Sequence, residues 1–424
     1  MFCNRKGVFI KTVKRITWFL CIAAALGLWN EIKTKREVAA AHKLELLKTS
    51  ISEAITTSNN YPIKFEINNH QVEIKYTINE KLQSYVLNLL ESYKPDYGVV
   101  VVIDNESGQI LTATGYSGKQ RMVDNSLVFN SENPAASLFK IVTAASLLQT
   151  QKVTADTEVK VKGRGTTLYK YQLKEELGSR ARKITLNKAF AMSNNVAFAR
   201  LALQNLQGGE LSRSAENFYF NKEIMTDINL PTSNYRIPSS QYNLAEIASG
   251  FNKTTNLTPI HAAFMASVVA NNGQAVFPRL IKEMKVDDAL WNIETVKNQQ
   301  CIDPKVANSI KDMMISTTES GTARKSFRKL YRKIHDDIII GGKTGSITGG
   351  EPEGKRDWFV SFAMENNSLD SGISMSIMLV NQKKWRVKST YLATRIIDYY
   401  YREIKKIPKM LTRNSPKKSV EGIL

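Results

Sequence analysis

Asn133-Pro134-Ala135-Ala136-Ser137-Leu138-Phe139-Lys140-Ile141-Val142 is the stretch on which the reading of this chain turns. Proline near the first turn and the long apolar run after it predict a helix beginning at Asn133. On such a helix Ser137 and Lys140, three positions apart, share one face. A serine hydroxyl needs a base to become a nucleophile, and a lysine desolvated by Phe139, Ile141 and their neighbours has its pKa lowered toward that task. Backbone N–H groups at the helix amino terminus would lie beside a developing oxyanion. The same Ser-x-x-Lys spacing recurs at Ser326/Lys329 and Ser415/Lys418, so selection has to come from elsewhere in the chain.

Working outward, Ser193-Asn194-Asn195 follows as a Ser-x-Asn element, and the only Lys-Thr-Gly of the chain is Lys343-Thr344-Gly345, preceded by Gly341 and Gly342. Ser-x-Asn also occurs at Ser58 and Ser131, where it reads as a turn; the ordered set is far rarer than any one element. Strand patterns frame these motifs. Phe65–Ile67 and Val72–Tyr76 alternate around Asn68 and Asn69, a hairpin pattern, and Glu80–Tyr93 has helical spacing closed by Pro95. Gly98–Ile103 (GVVVVI) is an apolar β-branched run, joined through Asp104–Gly108 to a second strand, Gln109–Thr114. Helical periodicity dominates residues 134–330, and strands return at Ile338–Ile340, Trp358–Met364 and Ile373–Val380. Strands, then a helical block, then strands predict an α/β chain of the α+β type, with helices against a largely antiparallel sheet and a helical lobe inserted.

With these motifs in this order, the sequence resembles the penicillin-binding protein transpeptidase domain, within the group of serine acyl enzymes that includes the serine β-lactamases. The resemblance covers about residues 75–400 and extends to Leu257-Thr258-Pro259, Ala270–Gly273, Pro278, Gly321-Thr322-Ala323 and Trp358-Phe359. It implies an antiparallel five-stranded sheet flanked by helices with an all-helical insertion. It implies Ser137 as acylated nucleophile, attacking the carbonyl of the penultimate D-alanine of a peptidoglycan stem peptide or the β-lactam carbonyl that mimics it. Lys140 would be the general base. Ser193, helped by Lys343, would pass the proton to the leaving amine, and Asn195 would hold Lys140 and the substrate amide. Thr344, Gly345 and Ser346 would form the substrate-binding strand, with the terminal carboxylate on Thr344 and Ser346 and an oxyanion hole from the N–H groups of Ser137 and Ser346. Gly342 and Gly345 would let an extended peptide add to that strand. No metal or cofactor is called for. Ala136 stands where the family often has Gly and Ser346 where it more often has Thr. The interval before the domain is too short for a glycosyltransferase domain, so a pared-down monofunctional member is expected.

Composition sets the compartment. Lys and Arg number 59 against 39 Asp and Glu, a net +20, and the excess concentrates at the ends, with +7 in residues 1–36 and +5 in 401–424. No zinc-finger spacing or RNP-type motif accompanies it, so nucleic acid is excluded as partner and anionic lipid or polymer favoured. Arg5, Lys6, Lys11, Lys14 and Arg15 precede the uncharged stretch Ile16–Asn30, which at 1.5 Å rise covers about 22 Å and is extended by Val8, Phe9, Ile10 and Val13. This predicts a transmembrane signal anchor with the remainder in the periplasm or otherwise outside the bacterial cytoplasmic membrane; a cleaved signal using Ala23–Ala25 is the rival. The expected division is 1–30 cytoplasmic tip and anchor, 31–74 stalk and hairpin, 75–407 transpeptidase domain, and 408–424 basic tail. Glu351, Glu353, Lys355, Arg356 and Asp357 read as a solvated rim that could also touch an acceptor strand. His261 reads as a packing residue and Cys301 as a small core residue. The expected function is a membrane-anchored D,D-transpeptidase; the alternatives are a D,D-carboxypeptidase, a β-lactamase and a non-enzymatic β-lactam sensor.

Overall fold

Asn68 and Asn69, at φ 51° and 62°, close the expected hairpin of β1 (Lys64–Ile67) and β2 (His70–Tyr76), a two-residue turn that asparagine tolerates. The computed structural model describes residues 45–291, 298–334, 338–365 and 371–407, together with Trp18, 29–31, 33–39, 42 and 43. Asn79 caps α1 (Glu80–Tyr93) by accepting from the Leu82 N–H. β3 (Tyr97–Asp104) and β4 (Ile110–Ser117) follow, and β5 (Met122–Val123) pairs with the last two residues of β4.

The helix expected from Asn133 starts later. Ala135 donates its N–H to the Thr255 carbonyl and Asn133 accepts from Leu257, so these residues are held as an irregular segment. A 3-10 turn spans Ala136–Phe139, and α2 (Lys140–Gln149) continues it. The lobe adds the pair β6 (Glu158–Val161) and β7 (Arg182–Thr185) and helices α3 (Leu186–Ala191), α4 (Asn195–Asn205), α5 (Gly208–Asn217) and α6 (Gln241–Ser249). In α7 (Pro259–Ala270) every residue is buried, which is why its sequence has no polar face. The short strands β8 (Gln274–Ala275) and β11 (Gln299–Gln300) pair together, whereas β9 (Ile281–Val286) and β10 (Ala289–Leu290) join β1 and β2 in a four-stranded sheet. Residues 45–56 are helical, and Leu47, Ile51 and Ile55 enter the same core cluster as Val72 and Ile74 of β2.

After α8 (Pro304–Glu319) and α9 (Arg324–Ile334) come β12 (Ile338–Thr348), β13 (Lys355–Glu365), β14 (Ile373–Asn381) and α10 (Ser389–Tyr399). The main sheet has the order β12-β13-β14-β3-β4-β5 and is antiparallel throughout. It therefore has six strands, not the expected five; β5, two residues long, is too short to show alternation. Both faces are covered. Val99, Val101, Trp358, Val360 and Met378 share a core with α7 and the lobe, while Val100, Val102, Phe359 and Ile377 pack on α1, α9 and α10. Burial on both sides explains the unbroken apolar run in β3. Among the described residues no helix is long and apolar enough to cross a membrane. The expected anchor falls on positions of which only Trp18, Trp29 and Asn30 are described, and the basic tail lies outside the described residues.

Candidate active site

β12 is an edge strand, paired only with β13, and its free side faces the turn that carries Ser137. Between them lies a groove of about 800 Å³ lined by Ser137, Ser193, Asn195, Thr344, Gly345 and Ser346. Lys140 and Lys343 lie beneath its floor, both fully buried. All eight residues selected from the sequence are thus brought together from three separate regions of the chain.

Local structure sets each of them. Ala136 has φ 51° immediately before Ser137, a conformation that glycine takes more readily. Gly250, at φ 65°, ends α6 against this turn; a Cβ there would lie 2.1 Å from the Ala136 carbonyl oxygen and 3.0 Å from the Ser137 Cα. Ser193, at φ 53°, projects from the bend between α3 and α4, and Asn194 caps α4 by accepting from the Ala197 N–H at 3.0 Å. Above Ser137, the Trp358 indole N–H donates to the Pro134 carbonyl at 3.1 Å, and Arg356 Nε donates to Asn133 Oδ1 at 2.9 Å. The strand glycines face the interior. A Cβ on Gly342 would lie 2.4 Å from Phe359 Cζ, and one on Gly345 3.3 Å from Trp358 Cβ and 3.4 Å from Ala136 Cβ.

Lys140 Nζ reaches Ser137 Oγ at 2.8 Å, Asn195 Oδ1 at 2.7 Å and the Ser249 carbonyl. Asn195 is fixed in turn, its Nδ2 donating to the Thr166 carbonyl at 3.2 Å. Burial, and secondly the charge of Lys343, hold the Lys140 pKa well below the usual lysine value. A neutral amine has two N–H bonds and one lone pair. In that form, with the N–H bonds given to Asn195 and Ser249, the lone pair would face the Ser137 hydroxyl, the arrangement in which a base removes its proton. Lys343 Nζ donates to Ser193 Oγ at 2.8 Å and to the Thr344 carbonyl at 2.9 Å, and burial lowers its pKa to about 7. Phe190 and Phe198 supply the apolar surroundings, their ring centroids 5.5 Å from Lys343 Nζ and 5.6 Å from Lys140 Nζ.

Sequence reasoning missed four contributors. The Ser249 carbonyl is a backbone atom, which no side-chain pattern announces. Thr322 belonged to a recognised segment but not to the site; its Oγ1 lies 2.7 Å from Thr344 Oγ1. Arg356 and Asp357 are no solvated rim, since they are 0% and 5% exposed. Burial of Arg356 is possible because its guanidinium also donates to the carbonyls of Gly349 and Pro352. His261 is a packing residue: buried, within hydrogen-bond reach of the Phe218 carbonyl, with its pKa lowered by burial to about 4. Half-buried Cys301 has its thiol pKa raised by burial to about 11, away from nucleophilic use.

Comparison with known proteins bears on the family and the fold. The family described as "Penicillin binding protein transpeptidase domain" matches residues 98–396. Penicillin-binding protein 3 of Bacillus subtilis is 22% identical over 326 residues, 70% of this chain and 46% of that protein. Peptidoglycan D,D-transpeptidase PbpA of Mycobacterium tuberculosis is 23% identical over 324 residues, 68% of this chain and 63% of its own. The chain thus spans between about half and two thirds of the length of these relatives. Among solved structures, the D,D-transpeptidase domain of a peptidoglycan glycosyltransferase from Eggerthella lenta superposes with a TM-score of 0.61 at 21% identity, over 79% of this chain and 84% of that one. Penicillin binding protein 3 of M. tuberculosis superposes with a TM-score of 0.64 at 17% identity, over 80% and 81%. A fold shared at this level and a family match that runs from β3 into α10 lead to one assignment: the chain belongs to the penicillin binding protein transpeptidase domain family.

Proposed function

We propose that this protein is a D,D-transpeptidase that cross-links peptidoglycan stem peptides through an acyl-Ser137 intermediate and is acylated at the same serine by penicillin. One observation carries the reading: a buried lysine whose Nζ lies 2.8 Å from Ser137 Oγ, with Asn195 Oδ1 and the Ser249 carbonyl as its other partners. Lys140 takes the hydroxyl proton as Oγ attacks the carbonyl of the penultimate D-alanine. The oxyanion is received by the N–H groups of Ser137 and Ser346. Collapse expels D-alanine, whose amine takes a proton through Ser193, with Lys343 polarising that hydroxyl at 2.8 Å. Thr344 and Ser346 bind the terminal carboxylate, and the open edge of β12 pairs with the extended peptide. An amine of a second stem peptide then attacks the ester.

The charge pattern of residues 5–36 supports an amino-terminal membrane anchor within 1–30 and an extracytoplasmic domain over 75–407, with 31–74 between them and a basic tail over 408–424. The test is covalent labelling of the purified protein by a fluorescent penicillin, followed on a denaturing gel. Label on the wild type that is lost with Ser137→Ala and Lys140→Ala is the expected result. A folded wild type without label would overturn the acyl-enzyme reading.

A further inference from the structure

The groove does not stop at the edge strand. Beyond Thr344 and Ser346 its wall passes onto Lys355 and Asp357 of β13, Lys325 and Ser326 of α9, and Lys388 before α10. Three lysines line this part with one carboxylate, Asp357, which feels the charges of Lys355 and Lys388 and whose Oδ2 accepts the Ser389 backbone N–H at 2.9 Å. Trp385 gathers two of the cations, with Lys388 Nζ 3.0 Å and Lys355 Nζ 4.7 Å from its ring centroid. Among the described residues, none of the three lysines has a carboxylate within ion-pairing distance. With three lysines against the single carboxylate of Asp357, the compartment presents an excess of positive charge to whatever enters it.

The chemistry of the groove says which partner that is. On the reading proposed above, on which this inference rests, the donor peptide ends at the carboxylate seated on Thr344 and Ser346. No donor atom lies farther along. An amine departs there, and by microscopic reversibility the attacking amine arrives by the same route. We infer that the groove beyond β12 is an acceptor subsite, in which Lys325, Lys355 and Lys388 hold an anionic group carried by the amine-bearing acceptor. In the step it serves the acceptor nitrogen attacks the acyl carbonyl carbon, a C–N bond forms, the ester C–Oγ bond breaks, and the nitrogen's proton returns through Ser193 and Lys140 to Ser137 Oγ, the reverse of the path by which the first amine left.

The test is competition between two nearly isosteric acceptors. Wild-type protein is given an N-acylated peptide ending in D-alanyl-D-alanine together with equal D-glutamate and D-glutamine, and the two exchanged products are counted by mass spectrometry. The α-carboxylate of either takes the seat vacated by the leaving alanine, and only D-glutamate brings a second negative charge into the compartment. The glutamate product should exceed the glutamine product about fivefold at low salt, the factor given by about 1 kcal/mol from partly screened ion pairs, and the ratio should fall as salt is added. Lys325→Gln/Lys388→Gln should bring the ratio to within about twofold of one, whereas Lys388→Arg should keep it. A wild-type ratio near one, or a ratio indifferent to both salt and substitution, overturns the subsite. Fluorescent penicillin on the same samples separates the two claims: no label on the wild type overturns the acyl enzyme and the subsite together, whereas label with a flat ratio overturns the subsite alone.

Discussion

Lys343 is asked to be a cation inside the protein, and its surroundings make that charge costly. With its pKa near 7, it is protonated below that value and neutral above it. If the positive form is what polarises Ser193 and faces the substrate carboxylate, penicillin acylation should decline as pH rises through about 7. Lys343→Arg, whose guanidinium stays charged, should move the falling limb to higher pH, and a pH profile of the acylation rate reads this directly. Gly250 constrains the same centre sterically. Gly250→Ala places a methyl group on the Ala136 carbonyl, in a backbone conformation that alanine resists, so the Ser137 turn must move. Acylation should slow by about tenfold or more, since small misplacements of a reacting group cost orders of magnitude. The serine and both lysines could be chosen from residue type and order along the chain. The glycine that keeps the turn in place could not, because the reason for it is a neighbour distant in sequence.

Among the elements, α9 is the anomaly. Arg324, Arg328 and Arg332 form one ladder of like charge at i,i+4 spacing, and Lys325, Lys329 and Lys333 form another, with no acidic residue in the helix. Like charges at this spacing are mutually unfavourable, so Lys329→Glu should stabilise the protein by about 0.5 kcal/mol in urea at low ionic strength and by little in about 1 M salt. The β12–β13 connection depends on Arg356, which joins the carbonyls of Gly349 and Pro352 to Asn133, four residues before the nucleophile. Arg356→Met leaves buried acceptors without donors and should cost about 3 kcal/mol, with slower acylation even where the variant remains folded. Apolar runs announced β3, β13 and β14 because each is long and buried on both faces. β5 and the burial of Arg356 stayed hidden for the opposite reason: one element is too short to carry a period, and the other is an arginine whose burial depends on acceptors brought to it by the fold.

At the scale of the whole molecule, helical residues 45–56 belong to the packed body rather than standing apart from it. Ile55 is fully buried, and the Ser52 hydroxyl accepts the Asn229 N–H at 3.0 Å. Ile55→Ala should cost about 3 kcal/mol in denaturant unfolding. Lys343 contributes a global pH dependence as well. Its folded value of about 7 lies below the ordinary 10.5, so between those values the unfolded chain binds a proton that the folded chain does not. Its contribution to stability should therefore increase from pH 7 toward 10.5, and a neutral Lys343→Met variant should lose that component of the slope. The order of strands, helical block and strands was enough to predict the layered architecture. The docking of the early helix and of β2 against β9 was not readable, since Val72 and Val286 meet across more than half the chain. One further consequence follows from the exposed rim of β12. An unpaired strand is ordinarily an invitation to self-association, because any other sheet can zip onto it. Here the rim opens into a groove that Ser137, Phe251 and Lys253 also line, so a partner strand has to enter the groove to reach it. The adhesive edge is thus offered inside a cleft rather than on an open face of the molecule.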